Sequence, residues 1–391
     1  MTDSIQTRVE ADNWLPHGEQ LRILLGSDHI SYGEVANTLR AKGVFSANTH
    51  KEDTIPILSS TLLRPDEFLT LLETSISRET KPKEQPQEIK LVSGDADWQS
   101  SIRELSTRLV DLVDLDKIHG VRFTSNPTLS FDGTHTASID YKINRQDYSQ
   151  DLLGRDLDFS GKIVIRQQDG NLRLEILSQV SSKETQKVND QILRSVASTF
   201  KLAGICTEAE PLKILFGSFE NKNRILFLLR LAGKFDVSKE PGTIVDVTIR
   251  RNEQIKSLPD APGIKWMEGA FRNLKIDGDK LNDIALFATE DHYEYFFITK
   301  LVVDYIFEFA QNKVLCTVIY NFDRIKTAER IMSAPFMYSV DRLTSIGNSN
   351  VKASSGIRQQ VADVVRAKVN ILFEDLCIKT ENAVGSQPVV A

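Results

Sequence analysis

Between Glu19 and Leu72 apolar residues recur three and four positions apart, with polar residues between them. That spacing predicts short amphipathic helices, and the punctuation marks their ends. Ser31 and Glu34 form an S-x-x-E capping box ahead of Val35 and Leu39, with Ile30 one turn before. Gly43 stands where a helix closes in a left-handed residue. Thr49 to Glu52 reads as a second box, opening a helix through Ile55, Leu58, Leu62 and Leu63. Pro65, whose missing N–H costs little in a first turn, starts another through Phe68, Leu71 and Leu72. Glu19 to Leu25 is a further short helix ending near Gly26. Residues 1–76 therefore read as a small helical docking module.

From Ser77 to Lys90 the pattern stops: two prolines, many charges and no apolar residue before Ile89. A run of this kind lacks the apolar surface to order itself, so residues 77–92 read as a linker. The body, residues 93–380, opens with helical spacing from Trp98 to Leu115, through Ile102, Leu105, Leu109, Leu112 and Val113. The period then shifts toward two. Ala137 to Ile143 alternates, and Lys162 to Arg166 and Leu172 to Leu177 flank the turn signal Asp169-Gly170-Asn171. A helix is predicted over Lys183 to Leu202 and another over Asn223 to Ala232. Strands are predicted over Thr243 to Arg250, within Ile264 to Ile276, and over Tyr293 to Glu308 and Lys313 to Tyr320 around Gln311-Asn312. A last helix runs from about Gly356 to Leu376, and residues 381–391 form a polar tail. Twice a hairpin is followed by a helix, and the body divides into two subdomains near 205–215. The fold class that results is α+β: a helical module, then antiparallel hairpins packed by helices.

Composition narrows the possibilities. With 391 residues, 41% hydrophobic and 26% charged, the chain has the make-up of a folded protein of two or three domains. Cys206, Cys316 and Cys377 lie far apart with no histidine at ligand spacing, and the six histidines are scattered, so no metal site is expected in this chain. Residues 1–10 lack the basic-then-apolar order of a signal peptide, and Lys300, Asp304 and Glu308 interrupt the most apolar stretch. A cytoplasmic protein without membrane contact is expected. Phosphate-binding glycine loops and the G-x-S-x-G elbow are absent from the sequence.

A net charge of −6 excludes a broad electrostatic grip on nucleic acid, so DNA contact has to be local. Leu39 to Leu58 runs helix, glycine turn, extended stretch, then Lys51 at a second helix start. That order resembles the helix-extension-helix units of the SAP type, in which Arg40, Lys42 and Lys51 would be the phosphate contacts. Against this, residues 1–76 hold six basic and eleven acidic residues. A competing reading is a magnesium-dependent nuclease of the restriction-endonuclease-like type, using Asp132, Asp140 and Lys142 with Glu104 nearby. The same acid-x-Lys triplet also occurs at Glu79, Glu88 and Glu220, so the motif is weak. Lys213 to Lys256, with nine basic and five acidic residues, is a candidate DNA-facing or partner-facing strip. The aromatic run Tyr293, Tyr295, Phe296, Phe297, Tyr305, Phe307 and Phe309 reads as a packed sheet face.

Taken as a unit, Leu15 to Leu25, Ile30-Ser31, Leu39 to Phe45, Asp53 to Leu58 and Leu63 to Phe68 resemble the amino-terminal domain of a known family. It is the b subunit of a two-gene anti-phage system carried on bacterial mobile islands. The resemblance implies a hetero-oligomeric defence complex whose other subunit, from a neighbouring gene, is a restriction-endonuclease-like nuclease holding the magnesium. This chain would then be the non-catalytic subunit, needing no cofactor of its own and helping to recognise invading DNA. A scaffold without DNA contact is the third reading.

Overall fold

The computed structural model describes residues 17–26, 30–47, 50–79, 81–146, 156–167, 172–255, 258, 260, 264–268, 273–309, 312–323, 328–346 and 355–385. Helices α1 (Glu19–Gly26), α2 (Tyr32–Ala41), α3 (Lys51–Ser59) and α4 (Pro65–Glu79) close around a core of their own. Leu21, Leu25, Val35, Leu39, Leu58 and Phe68 form its centre. The first capping box is present: Ser31 N donates to Glu34 Oε2 at 2.6 Å, and Glu34 N to Ser31 Oγ at 3.3 Å. Gly43 takes φ +73°. That turn lets Gly43 N reach Arg40 O and Val44 N reach Leu39 O, each at 2.9 Å, satisfying the last carbonyls of α2. Helix α3 departs from expectation. Its N-cap is His50, whose side chain makes no capping hydrogen bond, and Thr49 lies outside the described residues. Leu62 falls in the connection after α3 and is exposed, while Leu63 enters the core.

The segment expected to be a linker holds strand β1 (Lys83–Lys90), which sits inside the sheet rather than between domains. Side-chain hydrophobicity did not reveal it because its order comes from the ladder. All eight residues pair with β5 (Arg173–Val180), from Lys83 opposite Val180 to Lys90 opposite Arg173. Main-chain hydrogen bonds and partners distant in sequence supply what the local composition lacks.

The first half of the body continues with α5 (Trp98–Leu105), β2 (Val121–Asp132), β3 (Thr136–Gln146), β4 (Asp156–Gln167), β5 and α6 (Lys183–Leu202). The second half holds β6 (Leu212–Lys213), α7 (Asn221–Leu231), β7 (Thr243–Arg251), β8 (Asn273–Asp277), α8 (Ala285–Ala288), β9 (Phe296–Phe309), β10 (Asn312–Phe322), β11 (Phe336–Ile346) and α9 (Ser355–Gly385). Among the described residues one 11-stranded sheet spans both halves in the order β2-β3-β4-β5-β1-β11-β10-β9-β7-β8, with β6 on β1. The architecture is α+β, with helices packed on antiparallel strands. Helix α5 is shorter than the apolar period predicts. After Leu105 the chain tightens into a 3-10 turn, Ser106–Arg108, and further turns carry Leu109 and Val113 into the core. Helix α9 runs past the predicted end at Leu376 to Gly385; residues 386–391 of the expected tail lie outside the described residues. The Asp169-Gly170-Asn171 turn lies outside them as well, although β4 and β5 pair as expected.

Two cores result. One unites Ile102, Ile139, Ile163 and Ile176 with Val188, Ile192 and Val196 of α6. The other unites Leu228, Phe336 and Tyr338 with Val361, Val365, Val369 and Phe373 of α9. Successive strand residues point to opposite faces. Leu174 and Ile176 pack in the core of α6, whereas the intervening Glu175 pairs with Arg366 of α9 at 3.8 Å. Helices α6 and α9 therefore cover opposite faces of the sheet around β5 and β1. The sheet's two edges resist further pairing. Strand β2 carries Pro127 and two register shifts, and β8 spans five residues with Lys275 on it.

Candidate docking and nucleic-acid surface

The three basic residues predicted to meet phosphate end up in different situations. Arg40 lies in the last turn of α2 and donates to Asn37 Oδ1 at 2.9 Å on an exposed surface. Lys42, one residue past α2, is 17% exposed; its Nζ donates to Leu62 O at 2.7 Å and meets Glu67 Oε2 at 2.7 Å. Burial raises the Glu67 pKa, but the hydrogen bonds from Lys42 and the Arg64 amide, with the charges of Lys42 and Arg64, hold it below the usual carboxylate range. Lys42 therefore ties α2 to the start of α4. Lys51 begins α3, with its Nζ 5.9 Å from the centre of the Tyr32 ring, and that ring meets His50 edge-on at 6.1 Å.

The α3 amino terminus is not an open anion site. Glu52 and Asp53 occupy its first turn, where carboxylates favour the helix dipole and put negative charge where a phosphate would dock. Sequence spacing could show Lys51 at the helix start, but not which cations fold back onto their own module. What the spacing missed is apolar. Phe45 is 80% and Leu62 86% exposed, beside a core that buries Leu58 and Leu63. The Lys42–Leu62 hydrogen bond holds the connection after α3 against the end of α2, immediately before Gly43-Val44-Phe45. The signal was available in Phe45, an aromatic residue outside the three-to-four spacing of either neighbouring helix.

The alternative acidic set is spread along one hairpin. Asp140 on β3 lies opposite Thr128, and Asp132 lies opposite Thr136 at the far end of β2. Four residues of strand separate the two positions, about 13 Å at a rise of about 3.3 Å per residue. Asp140 and Lys142 share a face, but Asp140 meets Lys162 at 3.4 Å and accepts from Ser138 Oγ at 3.2 Å. Glu104 is on α5, whose Ile102 shares a core with Ile139, so α5 packs on the face opposite Asp140. Asp132, Asp140 and Glu104 are thus not gathered to one point. Among the described residues no cluster of three or more His, Cys, Asp or Glu side chains has the geometry to hold a metal ion.

Nor does the basic stretch from Lys213 to Lys256 form one strip. Arg224 is buried under the Phe216 ring at 3.4 Å and donates to Phe216 O at 2.6 Å and Asn221 Oδ1 at 2.7 Å. Burial lowers its pKa to about 9. Arg230 pairs with Asp375 of α9 at 3.0 Å, and Lys213 with Asp190 of α6 at 2.6 Å. These cations join elements of the body to one another. Within the aromatic run Tyr293, Phe296, Tyr305 and Phe307 are buried core residues, as a packed sheet face requires.

Among the described residues no helix is long and apolar enough to cross a membrane. Residues 19–81 match the family model described as GAPS4b protein N-terminal domain, which fits a component of an anti-phage defence system. No curated protein and no solved structure matches the chain.

Proposed function

We propose that this chain is the non-catalytic subunit of an anti-phage defence complex and that its helical unit is the docking element. In this reading it binds a restriction-endonuclease-like nuclease subunit from a neighbouring gene, which holds the magnesium, and helps that partner engage invading DNA. The observation that carries the reading is the surface of the matched unit. It has a core of its own, yet leaves Phe45 and Leu62 exposed, and Lys42, paired with Glu67, donates to Leu62 O. Large apolar side chains left in water on a closed unit favour a protein partner, and truncating such anchors removes most of an interface's strength. DNA contact falls to the side chains of Arg40 and Lys51, reaching phosphate beside the acidic α3 amino terminus rather than at it, with Lys42 tying α2 to α4. A unit with this acidic balance contributes a few phosphate contacts to a site that its partner completes.

The test is co-purification of the full chain with the product of the neighbouring gene, followed by DNA binding of the assembled pair. Phe45→Ser with Leu62→Ser is expected to lower recovery of the pair at least about tenfold without changing the melting temperature of the chain alone. Arg40→Glu with Lys51→Glu is expected to leave assembly intact and weaken DNA binding about tenfold, with a shallower salt dependence. Undiminished assembly in the first variant overturns the docking surface, and an unchanged DNA isotherm in the second overturns the phosphate contacts. Magnesium-dependent cleavage by the isolated chain, abolished by Asp140→Ala, would assign the chemistry to this subunit instead.

A further inference from the structure

Strand β1 joins the two halves of the sheet, and its construction is poor for a strand in that position. On one side it is laddered to β5 along all eight residues. On the other side its partner changes: Glu84 pairs with Tyr338 of β11, whereas Gln87 and Glu88 pair with Lys213 and Leu212 of β6. Pro86 lies between these pairings and has no N–H to give to either neighbour. Gln85 is 1% exposed, and neither its Nε2 nor its Oε1 has a hydrogen-bond partner among the described residues. Gln87 donates to Ser178 Oγ at 3.2 Å, but its Oε1 is also buried without a partner. Interior strands seldom carry such groups, because a buried amide without a protein partner destabilises the state that buries it.

The same strand is wired to the helical unit. Helix α4 ends at Glu79 and β1 begins at Lys83. Leu71 and Leu72 of α4 are locked in the core of that unit. On entering the body, Lys81 pairs with Asp341 of β11 and donates to its backbone carbonyl at 2.6 Å, and Lys83 meets Asp323 at 3.4 Å. Both contacts lie in the second half, whereas the ladder to β5 lies in the first. Helix α9 clamps the same junction from one face, through Arg166–Asp363 at 3.1 Å and the Arg173–Glu374 pair.

We infer that β1 is a relay: the β1–β11 seam is a joint with a closed state, seen here, and an open state, and the position of the helical unit biases it. In the open state β1 stays with β5 and parts from β11, so that water reaches Gln85 and Gln87. An element with two arrangements, touched by both units, is what coupling between them requires.

Hydrogen exchange on the full chain, without any partner, tests the relay. The β11 amides that face the seam, chiefly Tyr338 opposite Glu84, are expected to exchange about tenfold or more faster than those of the β9–β10 ladder, although both are buried. Gln85→Leu, which removes the orphaned amide at similar volume, is expected to slow the β11 amides toward the β9–β10 rate. Leu71→Ala, which loosens α4 in the helical unit, is expected to speed them while leaving β3–β4 unchanged. Should Gln85→Leu not fold, Gln85→Met reads the same effect. Exchange of β11 at the β9–β10 rate in the unaltered chain overturns the seam. A fast seam indifferent to Leu71→Ala overturns the relay.

Discussion

Glu84 on β1 stands opposite Tyr338 on β11, and this cross-strand pair is where the two halves of the sheet meet. Tyr338 is fully buried and, directly opposite, shares a sheet face with Glu84. Burial pushes the Glu84 carboxyl above the usual carboxylate range, against the lowering effects of Tyr338 and of the Arg366 charge. The folded protein therefore holds this proton to higher pH than the unfolded chain does. The stability it contributes is fully present below the ordinary carboxylate pKa and is lost as pH rises through the elevated folded value. Glu84→Gln keeps the shape and removes the ionisation. Melting temperatures from about pH 4 to about pH 8 should show a flatter decline on the neutral side for the variant, with equal or higher stability at neutral pH. A variant that melts lower than the parent only on the neutral side would mean the carboxylate is needed as an anion.

Lys368 on α9 gives the opposite sign. Its Nζ donates to Gly233 O at 2.6 Å and Lys234 O at 3.0 Å, just beyond α7, and lies 3.9 Å from the centre of the Phe235 ring. Burial lowers its pKa to about 8, with the Asp236 charge acting against the shift. Between about 8 and the unperturbed value of about 10.4 the unfolded chain binds more protons than the folded one, so this group adds stability as pH rises through that window. Lys368→Met should abolish that rise. At neutral pH it should also cost about 1 kcal/mol through the lost hydrogen bonds to the end of α7. Urea titrations at about pH 7 and about pH 9.5 check both parts, and an unchanged slope between them would contradict the assignment.

Gly161 and Tyr141 face each other across β4 and β3. A Cβ on Gly161 would lie 2.1 Å from the Tyr141 ring. That ring passes over the glycine to reach α6, where its hydroxyl donates to Thr185 O at 2.9 Å and lies 2.7 Å from Asn189 Oδ1. Gly161→Ala must displace the ring and undo both contacts, an expected loss of about 2–4 kcal/mol. Tyr141→Phe, which keeps the ring and loses the hydroxyl, should cost about 1–2 kcal/mol. If Gly161→Ala proves the milder change in denaturant unfolding, the glycine is not there to admit the ring.

Elements whose information is local are legible in the chain alone. The α2 cap at Ser31–Glu34, the Gly43 turn, α6 from Lys183 to Leu202 and the β9–β10 hairpin follow from capping chemistry and apolar period, which act within a few residues. The amino-terminal unit was recognisable for the same reason, since its caps and apolar positions form a compact string. The rest depends on partners distant in sequence. Strand β1 reads as a polar linker because its order comes from β5, some ninety residues away, and β11 escapes notice because Phe336 to Val340 are buried on both faces and do not alternate. The candidate contacts divide the same way. Spacing identified Arg40, Lys42 and Lys51 as cations near a helix junction, but the Lys42–Glu67 pair and the exposure of Phe45 and Leu62 depend on how α4 closes over α2. A side chain's type is written in the chain; its partner is chosen by whichever surface folding brings within hydrogen-bond reach.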